Sequence, residues 1–221
     1  MWQKVNPVWM RVGIMKSRPC EWFSRNKQQD RTFFVEDIKI RNEVEKAFPK
    51  SWIAKIVIRK TNKEVEVIIF TSKVGILMWK NWEKIKQFEE KLKTTFKKDI
   101  KITIKEIKNP ELSAKVMAEF VSSQLEARMP FRKVAKNTIQ KVMEKWAVWI
   151  KVQIWWRLWW ADIARSEKFI DWKVSLQTFR SDIDYHYMQA MTKYWVLWVK
   201  VWIQKWTLYN QKAWQKKLNI Q

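Results

Sequence analysis

The segment Gly75-Ile76-Leu77-Met78-Trp79-Lys80-Asn81-Trp82 decides how the first half of the chain is read. It separates two patterns of different period. Before it, Trp52–Lys60 and Glu64–Lys73 are β-rich runs joined by Thr61-Asn62-Lys63, which predicts a hairpin. After it, Ile85, Phe88, Leu92 and Phe96 recur at helical spacing, which predicts an amphipathic helix over Glu83–Lys98. The segment itself reads as a loop with an apolar start. Further out, Val35, Ile38, Ile40, Val44 and Phe48 are roughly helical, and Pro49 ends that pattern. Ile100, Ile102 and Ile104 alternate with Lys101, Thr103 and Lys105, the period of a half-buried strand. Residues 35–108 therefore read helix, strand, strand, loop, helix, strand.

Asn109-Pro110-Glu111 opens a second domain, over 109–209, with a helix start: an N-cap residue, proline at the first helical position and an acid in the first turn. Leu112, Val116, Phe120 and Leu125 form the buried stripe of that helix. Pro130 separates it from a second helix, Phe131–Lys145, whose stripe is Phe131, Val134, Thr138 and Val142. Strands are predicted over Val148–Ile154, Ile163–Phe169, Thr178–Asp184 and Tyr194–Gln204. Residues 1–34 are basic and polar without clear period, and read as an extended arm with short elements. Residues 210–221 read as a basic tail.

Composition bounds the function. The 221 residues carry 45 Lys and Arg against 22 Asp and Glu, a net charge of +23, and 47% are hydrophobic. That is enough apolar material for a core, with a basic surface that favours a polyanion, nucleic acid being the commonest. A single cysteine, Cys20, excludes a disulfide framework and argues against a Cys-based zinc site. No apolar run approaches the roughly 18 residues of a membrane span, and the N-terminus is too polar for a secretory h-region. The expected location is cytoplasmic.

One ratio is abnormal. The chain has 18 Trp and 2 Gly, where usage of about 7% would give roughly 15 Gly. Trp also stands where glycine chemistry is needed. Asp171-Trp172-Lys173 occupies a place that suits an Asp-Gly hairpin turn, and Trp146 ends a helical stretch where a C-cap glycine belongs. Trp155, Trp156, Trp159 and Trp160 cluster where an apolar run meets polar residues. These features are explained if UGA codons are read as glycine in the source and have been translated as Trp. Literal Trp at such sites is expected to be exposed, strained or poorly packed. Well-packed indoles at Trp79, Trp82, Trp159 and Trp160 would count against this reading.

The order of elements over 35–108 resembles a type II KH domain, an RNA-binding module marked by a Gly-x-x-Gly loop that clamps backbone nucleotides. With glycine at Trp79 and Trp82, the loop here is Gly-Lys-Asn-Gly, and phosphates can approach N–H groups at a helix N-terminus. The resemblance extends over nearly the whole chain to the family of bacterial protein three of the small ribosomal subunit. It is carried by Met1-Trp2-Gln3-Lys4-Val5-Asn6-Pro7, Arg11-Val12-Gly13-Ile14, the KH loop and Asn109-Pro110-Glu111-Leu112. Ser123-Gln124-Leu125-Glu126, residues 157–165, Arg180-Ser181-Asp182-Ile183-Asp184-Tyr185 and Val199-Lys200-Val201-Trp202-Ile203 continue it. The family pattern implies glycine at Trp2, Trp9, Trp52, Trp79, Trp82, Trp146, Trp149, Trp155, Trp156, Trp159, Trp160, Trp172, Trp195, Trp198 and Trp206. It tolerates or expects a true Trp at Trp22 and Trp202, and leaves Trp214 undecided.

The resemblance implies an α+β protein: an N-terminal type II KH domain, then a two-helix, four-strand C-terminal domain. It implies a structural, non-enzymatic constituent of the small subunit that binds rRNA in the subunit head. Gly75, Trp79, Lys80, Asn81 and Trp82 would form the KH clamp. Arg132, Lys133 and Lys136 share one helix face and would line the channel where mRNA enters, holding or unwinding it. Lys4, Arg11, Lys16, Arg18 and Arg157 would contact rRNA phosphates. Small-subunit proteins ten and fourteen would be neighbours. No cofactor, metal, membrane or homo-oligomer is expected.

Two other readings compete. Trp taken literally, with Lys and Arg, is a bilayer-interface composition, although the amphipathic helices use Ile, Leu and Phe. Asp182, Asp184 and His186 alternate on a strand and could hold a metal for RNA chemistry, but a salt-bridged polar face is the simpler account. No nucleophile–His–acid set is visible around His186, the only histidine, and no Gly-x-x-x-x-Gly-Lys-Ser/Thr nucleotide loop is seen.

Overall fold

The computed structural model describes residues 4–24, 26–48, 51–61, 64–96, 98–158, 161–173 and 175–208; within these, the side chains of 76–84 are outside the description. The chain divides into two compact units. One is 18–108; the other combines 1–17 with 109–221. Residues 1–34 are therefore not one arm, because they are shared between the two units. The tail predicted over 210–221 lies outside the described residues.

In the first unit, β1 (Cys20–Glu21), β2 (Ile53–Lys60), β3 (Glu64–Thr71) and β4 (Asp99–Glu106) form a sheet in that order. β2 and β3 are the antiparallel hairpin, and β1 and β4 join them in parallel. Helices α1 (Lys27–Ala47) and α2 (Val74–Phe96) supply the other layer. Ile40 and Val44 of α1, and Ile85, Phe88 and Leu92 of α2, meet Ile56, Ile58, Val67, Ile69 and Ile100 in one core. Phe48 and Phe88 pack edge to face at 5.5 Å.

Two helices start earlier than their apolar stripes. α1 begins eight residues before Val35, because Lys27, Gln28, Gln29 and Arg31 are good helix formers and Asp30 suits a first turn, while their exposed side chains give no period. α2 begins at Val74, so 75–82 is helix and not the predicted loop. With Trp at 79 and 82, no glycine after Gly75 interrupts the run; glycine there would cost a helix about 1 kcal/mol at each site.

In the second unit, β5 (Trp149–Trp156), β6 (Arg165–Asp171), β7 (Ser181–Met191) and β8 (Val196–Thr207) form an antiparallel sheet in the order β6-β5-β8-β7. Two helices, α3 (Ala114–Glu126) and α4 (Phe131–Glu144), cover one face. Ala118, Val121, Leu125, Val134, Ala135 and Val142 pack there on Ile150, Val152, Ile154, Val199 and Val201. The predicted helix start at Pro110 is a short 3-10 turn, Pro110–Leu112, and α3 proper begins at Ala114.

Asp184 of β7 sets that start. Its Oδ2 accepts the Ala114 N–H at 3.0 Å, placing a carboxylate where the helix has unsatisfied donors and a positive dipole end. Glu126 closes the other end by accepting the Met191 N–H at 3.2 Å. α3 is thus tied to β7 at both ends.

Candidate nucleic-acid interface

Gly75 sits in the first turn of α2, exposed, with open space where a side chain would be. The side chains of Trp79, Lys80, Asn81 and Trp82 lie outside the described set, and so do Trp159 and Trp160 altogether.

α4 presents a complete amphipathic division. Phe131, Val134, Ala135, Thr138 and Val142 are buried, while Arg132, Lys133 and Lys136 are exposed on the opposite side. The spacing of a helix brings the three cations together, 132 and 136 one turn apart. Arg132 lies 5.7 Å from the Phe131 ring. No acid occurs between Arg128 and Gln140 of the sequence, and among the described residues none of the three cations is in an ion pair.

The N-terminal cations part company. Lys4 and Arg18 are exposed. Arg11, expected on rRNA, is fully buried. Its Nε donates to Ser181 O at 2.7 Å, Nη1 to Pro7 O at 2.8 Å, and Nη2 to Leu176 O and Thr178 O, both at 2.9 Å. Burial lowers its pKa, with Asp182 opposing that shift. Four carbonyls occupy the guanidinium and leave no approach for a phosphate, so Arg11 is an internal tie. Lys16 is also committed inside the unit, 3.4 Å from Asp184 and 3.7 Å from Asp182. Arg157 is exposed, 5.9 Å from the Trp195 ring.

Asp182 and Asp184 therefore serve Lys16 and the start of α3. Burial pushes the Asp184 carboxyl up, but Lys16, Lys205 and the Ala114 N–H outweigh it, and the net shift is downward. Among the described residues no group of carboxylates, histidine and cysteine could hold a metal ion. None of the described helices is long and apolar enough to cross a membrane.

One cation escaped the sequence reading. Lys151 is nearly buried in β5, with Nζ 4.8 Å from the Trp202 ring. Burial lowers its pKa, and Lys4 and Lys168 lower it further. A lone lysine inside Trp149-Ile150-Lys151-Val152 looks like strand alternation; only the register shows which charges gather around it.

A family model for a KH domain matches residues 39–112, and one for the C-terminal domain of ribosomal protein S3 matches residues 121–203. Small ribosomal subunit protein uS3 of Clostridium novyi is 41% identical over 206 residues, covering 93% of each chain. The uS3 protein of Persephonella marina is 38% identical over 206 residues, 93% of this chain and 90% of its own. That of Caldicellulosiruptor bescii is 38% identical over 214 residues, 96% of each. The chain belongs to the ribosomal protein uS3 family. Its α+β architecture, KH domain first and S3 C-terminal domain second, is that of the matched models.

Proposed function

We propose that the chain is a structural, RNA-binding constituent of the small ribosomal subunit. It holds rRNA of the subunit head and lines the channel where mRNA enters, with no catalytic step of its own. Proteins ten and fourteen of the subunit are its proposed neighbours. The observation that carries this reading is α4: three exposed cations without a carboxylate partner, on a helix whose other side is anchored in the core. Such a rigid face neutralises phosphates and separates strands passively, without a nucleotide site. Lys4, Arg18 and Arg157 remain the proposed rRNA contacts; Arg11 and Lys16 are withdrawn.

The KH clamp at Gly75, Trp79, Lys80, Asn81 and Trp82 needs glycine at 79 and 82, and we infer that most Trp in this chain stand for glycine. The backbone supports this. Among the described residues, five other than glycine have positive φ, and four of them are Trp: Trp52 (56°), Trp146 (63°), Trp156 (117°) and Trp172 (64°). All four belong to the set that the family pattern fills with glycine. Trp146 and Trp172 are 91% and 74% exposed, and an L residue in the left-handed region costs roughly 1–2 kcal/mol. Trp22 and Trp202, the two expected to be true Trp, behave differently. Trp22 packs edge to face on Phe33 at 5.7 Å, and Trp202 is buried against Tyr185 at 5.1 Å. Trp149 runs the other way, since it is buried beside Ile183 and Trp202; the weight rests on the φ angles.

The test is RNA binding as a function of salt, comparing the chain with its Arg132→Ala/Lys133→Ala/Lys136→Ala variant. Losing three phosphate contacts should flatten the slope of log affinity against log salt by about 2. An unchanged slope would remove α4 from the interface. Converting Trp79 and Trp82 to glycine should strengthen binding; no change would remove the clamp.

A further inference from the structure

The side of the C-terminal sheet away from α3 and α4 has a composition of its own. Register places Lys151, Trp202 and Tyr185 in one row, and Lys168, Gln153, Lys200 and Tyr187 in the next. Neither row contains an Asp or Glu. Lys168 is exposed, while Lys200, Tyr185 and Tyr187 are half-buried. Among the described residues, no ion pair involves Lys4, Lys151, Lys168 or Lys200.

Lys151 makes the face informative. A nearly buried ammonium ordinarily has a carboxylate beside it. This one has Lys168 in the next row of the sheet and a Trp ring beneath it, and the charge of Lys4 also acts on it. Like charges gathered around a partly desolvated cation are destabilising unless an anion completes the set. The rings beside them suit bases, because every base has a face that stacks on an aromatic side chain. Cations alone would suit any polyanion; cations interleaved with tyrosines suit a single strand.

We propose that this sheet face is a further RNA site, in which Lys4, Lys151, Lys168 and Lys200 hold the phosphates of a single-stranded segment and Tyr185 and Tyr187 stack its bases. It extends the RNA-binding reading to a surface separate from α4 and the KH loop. The four phosphate-holding lysines do not depend on the glycine reading, because none of them is in that set; the Tyr187 stack does. At one end of the face Trp198 lies on Tyr187, centroids 5.4 Å apart. If Trp198 is glycine, that ring is open to a base.

The test uses the full chain with a fluorescein-labelled oligouridine, in the Arg132→Ala/Lys133→Ala/Lys136→Ala background, so that loss of the α4 reading cannot be mistaken for loss of this one. Adding Lys151→Met, Lys168→Gln and Lys200→Gln should weaken binding about tenfold and flatten the salt slope by about a further 2. Ultraviolet crosslinking should attach uridine to the peptide spanning residues 181–193, which holds both tyrosines. Lys151→Met alone should leave the melting temperature unchanged or raise it, since it removes a crowded charge and keeps the stem; a fall would make Lys151 structural and overturn the proposal. An unchanged slope without a crosslink would also overturn it. So would crosslinking of the intact subunit to a neighbouring protein at this face instead of to RNA.

Discussion

The two units dispose of charge differently. Residues 18–108 contain thirteen carboxylates for twenty-three Lys and Arg; the remainder of the chain has nine for twenty-two. In the first unit the acids meet the bases. Glu36 accepts Lys98 at 2.7 Å and the buried Lys60 at 3.2 Å, Asp37 holds Arg41, and Glu43 holds Lys91. In the second unit Lys16 pairs with Asp182 and Asp184 and Arg165 with Glu167, but Asp184 and Glu126 also hold backbone N–H groups of α3 and β7, and Arg11 is satisfied by carbonyls. The cations of α4 and of the sheet face are in no ion pair among the described residues. Net charge alone would not single out the proposed RNA-facing surfaces; the pattern of pairing does.

The largest effect that could break this contrast is at Arg11. Arg11→Ala orphans four carbonyls around a buried hole and should cost the second unit about 4 kcal/mol, read by thermal unfolding. RNA affinity of the folded fraction should be unchanged; a weaker affinity would return Arg11 to the interface. Next is Glu36→Gln, which leaves Lys60 buried with a neutral partner and should cost the first unit about 3 kcal/mol.

The same carboxylate gives a pH signature. Burial raises the Glu36 pKa, but hydrogen bonds and charge from Lys98 and Lys60 lower it more. Its folded pKa therefore lies below the unfolded value near 4.3. The stabilisation is present above that value and disappears as pH falls through the lowered one. Acid unfolding of the first unit should lose that component in Glu36→Gln; an identical acid limb would show the triad to be idle.

Effects of opposite sign sharpen the backbone argument. Trp146→Gly and Trp172→Gly should each stabilise the second unit by about 1 kcal/mol, whereas Trp202→Gly should destabilise it by about 4 kcal/mol through loss of a buried ring. Equal effects at the three sites would end the distinction between misplaced and true Trp.

Period made much of the fold legible. The stripe Phe131, Val134, Thr138 and Val142 is the buried side of α4, and the alternation at Ile100, Ile102 and Ile104 is β4. The hidden parts were those without period. The first turns of α1 are helical by propensity and solvent-exposed on all sides. The start of α2 depends on whether Trp or Gly occupies 79 and 82. For Arg11 no local signal separates a buried arginine from one on a basic arm, because its four acceptors are contributed by Pro7 and by residues some 165–170 positions away. Lys151 was invisible for the same reason: its neighbours are set by register and not by sequence.

Peptide mass spectrometry of the protein from its native ribosomes tests the central claim most directly. The tryptic peptide Trp146–Lys151 should carry glycine at 146 and 149, Val74–Lys80 should carry it at 79, and Val201–Lys205 should retain Trp202. That pattern would place glycine where the backbone turns left-handed and restore the Gly-Lys-Asn-Gly loop. Trp at 79 and 146 would contradict it, leaving the paired and unpaired cations as the whole of the chain's RNA-binding chemistry.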